Sequence, residues 1–395
     1  MNTGGAVEGH GFRAYLPLPK AERAGVGVCF SGGGYRASLF HAGAVRRLNE
    51  VGVLSRADTI TSVSGGSIMT AQLATYRRTL GRDWPEPGKP APRFDEGFAE
   101  PLRRFTQTNI RTRAVLGRLL PTNWFRSNVD SDALARRYAD GPAPGRLGDL
   151  PERPRFVFVA TDLTNRSEWT FDAGKRLMGT DAQSWPAGDW PLARATAASS
   201  CLPGVFTTMK VELDGTAIEL TDGGIYDNLG LEPIWRDHSV VLVSDAAPSF
   251  PPDPGLPAPV WDNLRIVVTL LEQATDVRKR WLIANFIAGQ LEGAYWGIGS
   301  FPSSYGADAG YSDRLIADVI SQIRIDLDAF SDAEVAVLEN HGYFMADIAL
   351  ARHAPELLGT APPARRPPHP EWLDEDKVRA ALADSHKTKL FARGW

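Results

Sequence analysis

The chain has 395 residues, 43% of them hydrophobic and 23% charged, which is enough length and apolar content for a large core and excludes intrinsic disorder as the main state. Lys and Arg number 43 against 47 Asp and Glu, a net charge of −4, so the basic surplus of a dedicated nucleic-acid binder is missing. Two cysteines, Cys29 and Cys201, belong to no CxxC or Cys/His cluster, which argues against a disulfide scaffold and a zinc module.

Residues 1–24 have no periodicity and read as a lead-in. They lack the charged start and apolar stretch of a signal peptide, and the chain has no run of the ~18 apolar residues that a membrane span needs, so a cytoplasmic protein is expected. From Gly25 a short apolar run leads into Ser31-Gly32-Gly33-Gly34 and then a helical stripe at Phe40, Ala44, Val45 and Leu48. A second unit has the same form: Thr59 to Val63 is β-prone, Ser64-Gly65-Gly66 is a turn, and Met69, Leu73 and Tyr76 mark a helix. Two strand-turn-helix units in succession predict a parallel sheet covered by helices.

Residues 80–97, rich in proline and glycine, read as a surface loop. Glu100 to Arg137 reads as helix broken at Pro121. Strands are expected at Arg155 to Thr161, around Trp169 to Phe171, in a hairpin from Val211 to Leu220 turning at Asp214-Gly215, and at Val240 to Val243. Leu264, Val267, Val268 and Leu271 open a long helix, and Ser331 with Glu334 forms a capping box for another that reaches about Ala351. This divides the chain into the lead-in, a main domain over 25–360, and a proline-rich linker with a short helix over 361–395.

Three places carry candidate chemistry. Ser64 stands at a strand-to-helix junction, where a tight turn exposes a hydroxyl beside free amides of a helix N-terminus; the usual GxSxG elbow has glycine where this chain has Ser62. An ordinary glycine-serine turn has the same composition. The Gly32-Gly33-Gly34 loop also follows a strand and opens a helix, so unobstructed amides converge on an anion, either a phosphate or the oxyanion of acyl transfer. No Lys-Ser or Lys-Thr follows it, and the GxGxxG spacing from Gly32 and Gly34 ends at Ala37, which favours the oxyanion. The third is Asp222-Gly223-Gly224-Ile225-Tyr226-Asp227-Asn228, a carboxylate presented by a glycine turn, with Asp227 and Asn228 fixing that turn.

In this order the motifs resemble the patatin-like phospholipase family: GGGxR as Gly32 to Arg36, the elbow as Ser62 to Gly66, and DGG as Asp222 to Gly224. Ala198-Ser199-Ser200-Cys201-Leu202-Pro203-Gly204-Val205-Phe206 looks like the ASxxxPxxF stretch of the same family, and the resemblance spans about Gly25 to Pro233. It implies an α/β protein with a three-layer α/β/α fold around a mostly parallel sheet and a Ser64–Asp222 dyad; no metal-ligand cluster is visible in the residues, and no cofactor and no metal are expected. The substrate it implies is a phospholipid or other long-chain acyl ester. In chemical terms, Asp222 takes the Ser64 proton during attack, and the oxyanion sits against Gly32, Gly33, Gly34 and the amide of Gly65.

Arg36 either braces the glycine loop or binds a lipid phosphate, and it is carried as a candidate substrate-binding residue. A triad would need a histidine after the elbow, but His238, His341, His353, His369 and His386 have no motif around them, and His41 reads as a packed helix residue. Trp281, Tyr295, Trp296 and Phe301, with Trp124 and Phe125, are either core or a patch for peripheral membrane contact. The stretch holding Leu119, Leu120, Trp124 and Phe125 beside Arg113, Arg118 and Arg126 is either a lid or a packed hairpin. A catalytically silent module of the same fold, a Ser-His-Asp esterase and a nucleotide binder built on Gly32 to Gly34 stay open as rival readings.

Overall fold

The computed structural model describes residues 16–117, 127–247, 259–359 and 361–385. The first apolar run is β1 (Val26–Phe30), the glycine loop opens α1 (Gly34–Glu50), and the second unit is β2 (Ala57–Val63) followed by α2 (Gly65–Leu80). Three helices follow, α3 (Glu100–Thr106), α4 (Arg111–Gly117) and α5 (Val129–Ala139). Pro121 and the proposed lid residues from Arg118 to Arg126 lie outside the described residues.

The remaining strands are β3 (Arg155–Asp162), β4 (Ser167–Asp172), β5 (Leu177–Gly179), β6 (Ser184–Pro186), β7 (Met209–Leu213), β8 (Thr216–Asp222), β9 (Val240–Asp245) and β10 (Glu292–Gly297). Among them run α6 (Leu192–Ser200), the single turn α7 (Gly224–Asp227) and the long α8 (Pro259–Ile287); α9 (Asp313–Asp318), α10 (Asp332–His353) and α11 (Glu375–Leu382) close the described chain. Among the described residues, these ten strands form one sheet in the order β10-β9-β1-β2-β3-β4-β5-β6, with β8 on β3 and β7 on β8. The strands from β10 to β3 are parallel, and the rest pair antiparallel.

The parallel strands are buried on both sides, and their side chains alternate between two cores. Val28 and Phe30, Leu242, and Ala294 and Trp296 join a large core with α1, α2 and α10, while Cys29, Val241, Val243 and Tyr295 join a smaller one with Leu229, Leu231, Ile234 and Leu282 of α8. The result is three layers, helix on sheet on helix. Strand β10 was hidden in the sequence, and its Trp296 and Tyr295 are core residues, 0% and 7% exposed, as Trp281 is a core-edge residue stacked edge-on against Trp235. The reading of these rings as a membrane patch is therefore set aside, and Trp124 and Phe125 are outside the described residues. Residues 80–97 are not only loop, since Phe94 packs in the core. At the other end, Ser331 accepts from the Glu334 amide and Glu334 reaches back to Ser331, capping α10. Residues 361–385 lie along α10 through Arg365–Asp347 and His369–Glu339 pairs, with Val378 and Leu382 buried.

Candidate active site

Sheet register brings the two motif side chains together. Strand β2 ends with Val63 opposite Val159 of β3, and the next residues of β3, Ala160 to Asp162, pair instead with Asp222 to Leu220 of β8, which runs the other way. The C-terminal ends of β2 and β8 thus meet head to head along one edge of β3. Ser64 follows one end, Asp222 closes the other, and both side chains line one cleft.

Ser64 sits at φ 49 and ψ −116, a left-handed conformation that a non-glycine residue adopts only under constraint. Its neighbours supply the constraint. The Ser64 amide donates to Ser199 Oγ at 2.9 Å, and Ser199 Oγ donates to the Val159 carbonyl at 2.6 Å. Ser67 Oγ lies 2.8 Å from Ser199 Oγ and 3.1 Å from Ser62 Oγ, so the residue standing in place of the elbow glycine is absorbed into a buried hydroxyl network under the turn. Ser199 came from the ASxxxPxxF-like stretch, which carried no role in the sequence reading. Replacing it with alanine leaves the Ser64 amide without its acceptor. The expected result for Ser199→Ala is a loss of about 1–3 kcal/mol in thermal melts together with a lower kcat.

The glycine loop packs against the elbow from the other side. The Gly32 amide is already committed to the Asn228 carbonyl at 3.1 Å, so Gly32 shapes the loop and is not a free donor as expected. The amides of Gly33, Gly34 and Gly65 meet no acceptor among the described residues. Gly34 has φ 58, and a Cβ there would lie 2.7 Å from the Asp326 carbonyl; a Cβ on Gly65 would lie 2.0 Å from that of Gly34. Only glycine allows these backbones to approach.

Gly33, Gly34, Ser64 and Asp222 line one cleft, whose walls are Leu202, Val205 and Phe206 after α6, Leu271 of α8, and Ile325 and Leu327. Asp222 is 2% exposed, and burial raises its carboxyl to about 6, with the hydrogen bonds from Ser64 and the Gly224 amide (2.8 Å) pulling the other way. A carboxyl near 6 is ionised at neutral pH yet basic enough to take a proton.

Arg36 does not reach the cleft. It is 3% exposed and donates to the carbonyls of Ala246 (2.9 Å), Ile323 (3.0 Å) and Ser321 (3.3 Å), and burial without a paired carboxylate lowers its guanidinium to about 10. The structure replaces the lipid-binding role with a bracing one, because Arg36 ties the 321–327 wall to the glycine loop. Asp227 fixes its turn by accepting from the amides of Leu229 (3.0 Å), Leu231 (2.6 Å) and Glu232 (3.0 Å). Asn228 does more than that, since it also lines the cleft. A cation missed in the sequence, Arg111, lines it too, paired with Asp326. Neither Arg111 nor the Ile325 to Leu327 wall carries a local motif, so no sequence signal marks them.

The described histidines lie away from the cleft lining. His41 is held between Ser244 Oγ (2.8 Å) and the Ser31 carbonyl (2.9 Å), and burial lowers it to about 4. His341 donates to the Ile298 carbonyl at 2.8 Å and is likewise lowered to about 4. His238 bonds Thr59 at 2.9 Å, and His369 pairs with Glu339 at 3.0 Å. His386 falls outside the described residues.

Comparison with known proteins gives one family match, to the model described as patatin-like phospholipase, over residues 28–235. No curated protein gives a significant match. Among solved structures, human GIVD cytosolic phospholipase A2 superposes with a TM-score of 0.42 at 12% identity, covering 58% of this chain and 47% of that one. VipD from Legionella pneumophila superposes with a TM-score of 0.38 at 12% identity, covering 84% of this chain and 67% of that one. The chain spans about half the length of the human enzyme, and both likenesses are too distant to carry function. The family match covers more than half of the chain and contains the elbow, the DGG turn and most of the glycine loop's surroundings, so the protein belongs to the patatin-like phospholipase family.

Proposed function

We propose that the protein is a lipid acyl hydrolase that cleaves carboxylic esters through a Ser64–Asp222 dyad and an acyl-enzyme. The observation that carries this reading is the meeting of Ser64 and a buried Asp222, raised to about 6, at the abutting ends of β2 and β8 in a largely aliphatic cleft. Asp222 accepts the Ser64 proton as Oγ adds to the ester carbonyl, and the oxyanion takes the free amides of Gly33, Gly34 and Gly65. Collapse of the tetrahedral adduct passes that proton to the leaving alcohol. A water then attacks the acyl-Ser64, giving its proton to Asp222, which returns it to Oγ as the acid departs. Leu202, Val205, Phe206, Leu271, Ile325 and Leu327 are suited to an acyl chain, which supports a long-chain ester such as a glycerophospholipid or lysophospholipid.

The defining experiment combines labelling by a serine-reactive fluorophosphonate with digestion of a lipid extract read by mass spectrometry. Ser64-dependent labelling and release of free fatty acid are expected; a folded protein that does neither is a silent module of the same fold. The base must be unprotonated to act, so kcat/KM for a soluble ester is expected to be flat near pH 7–8 and to fall about tenfold per unit below about 6 as Asp222 takes its proton. A limb unmoved by Asp222 substitution, or one abolished by changing a histidine, would transfer the base role elsewhere.

A further inference from the structure

Asn228, which follows the single turn α7, occupies the gap between the two motif side chains. Its main-chain carbonyl accepts from the Gly32 amide at 3.1 Å, which fixes it beside the glycine loop. A Cβ on Gly32 would collide with Asn228 Oδ1 and lie 3.1 Å from Ser64 Cβ. A Cβ on Gly224 would lie 2.7 Å from Asn228 Oδ1 and 3.1 Å from Asp222 Oδ1. These two glycines therefore leave the space in which the carboxamide head stands, with Ser64 on one side and Asp222 on the other.

Asn228 is 4% exposed and lines the cleft, yet its carboxamide finds no hydrogen-bond partner among the described residues. A buried carboxamide left unpaired costs free energy, so its place is explained by a partner that arrives during the reaction. The other polar side chains of the lining, outside the dyad, are already engaged. Ser200 Oγ donates to the Thr196 carbonyl at 2.8 Å and lies 3.0 Å from the Tyr138 hydroxyl. Asp326 holds Arg111 and accepts from the Leu327 amide at 2.7 Å.

We propose that Asn228 is a further catalytic residue, which holds the water that hydrolyses the acyl-enzyme; the role rests on the Ser64–Asp222 reading. A water has two O–H bonds to place as its oxygen attacks, and Asp222 takes the proton of only one. Asn228 Oδ1 accepts a hydrogen bond from the other, which turns a lone pair of the water toward the acyl carbon. The bond from water oxygen to acyl carbon forms as the first proton passes to Asp222. The bond from that carbon to Ser64 Oγ then breaks, the proton returns to Oγ, and the second hydrogen leaves with the acid. Acylation uses no water, and its oxyanion is met by the amides of Gly33, Gly34 and Gly65, so Asn228 acts on deacylation.

The test is burst and steady-state kinetics with p-nitrophenyl butyrate on the full chain, on Asn228→Ala, and on Asn228→Leu, which keeps the side-chain volume. In a two-step mechanism, slower deacylation lowers kcat and KM together and leaves kcat/KM, which acylation sets, unchanged. Both constants are expected to fall about tenfold or more in each variant, the rate equivalent of one hydrogen bond. An acyl adduct on Ser64 is expected to accumulate in the intact mass. Labelling by the fluorophosphonate, which expels fluoride and needs no water, is expected at the parent rate. A lower kcat/KM or slower labelling would show that Asn228 only shapes the elbow, and parent-like kcat and KM would show that the water is held elsewhere. Either result overturns the inference and leaves the dyad standing. A folded parent that forms no acyl-enzyme at Ser64 removes both.

Discussion

Ser64→Ala and Asp222→Asn are each expected to lower turnover of a soluble ester by roughly 10⁴-fold or more, since nucleophile and base act as one unit. Their stabilities should differ, which separates lost chemistry from lost structure. Burial raises the Asp222 carboxyl from 3.8 to about 6 in the folded protein, so the native state binds more protons than the unfolded chain between these values. Stability contributed by this group therefore falls as pH rises from about 4 to about 6, and above that window the ionised carboxylate costs roughly 3 kcal/mol. Asparagine removes the charge and can still accept from the Gly224 amide. Asp222→Asn is thus expected to melt above the parent at pH 8, with the gap closing below about pH 4. Ser64→Ala keeps the strained turn and should melt near the parent. Full activity in either variant, measured on a folded sample, removes the dyad.

Alanine at Gly33 or Gly34 is expected to lower kcat by about 10²–10³ with little change in KM, the usual cost of losing one oxyanion donor. Gly33 has φ 139, and a Cβ there would sit 2.8 Å from the Ala246 carbonyl; Gly34 has φ 58, with the Asp326 backbone 2.7 Å from its Cβ position. Both neighbours are main chain and cannot rotate away, so the loop must shift and carry its free amides off the cleft. Steady-state kinetics on a short ester, with circular dichroism to check folding, reads the effect. A raised KM at unchanged kcat would mean that the loop grips the ground-state ester instead.

Much of this protein is written locally. The steric demands of a strand turning into a helix put glycines and serines at Ser31 to Gly34 and Ser64 to Gly66, and these patterns stand out because backbone geometry over a few residues dictates them. The Ser331 and Glu334 cap is local for the same reason. Strand β10 was not legible: Gly293 and Gly297 bracket its Tyr295 and Trp296, and burial on both faces erases the alternation that marks a half-exposed strand. The patatin-like resemblance named Ser64 and Asp222, but their contact is a consequence of register, because β2 stops opposite Val159 and β8 takes over the next positions of β3. Likewise, nothing near Arg36 shows that it braces carbonyls as distant as that of Ile323. Nor does anything near Gly32 show that its amide is held by Asn228, or anything near Ser199 that it supports the elbow. The turns, the caps and the order of the motifs can be read from the residues, since all of them depend on neighbours along the chain. Which of their polar groups remain free for substrate depends on distant contacts, because each donor is claimed or spared by partners that only folding brings within reach.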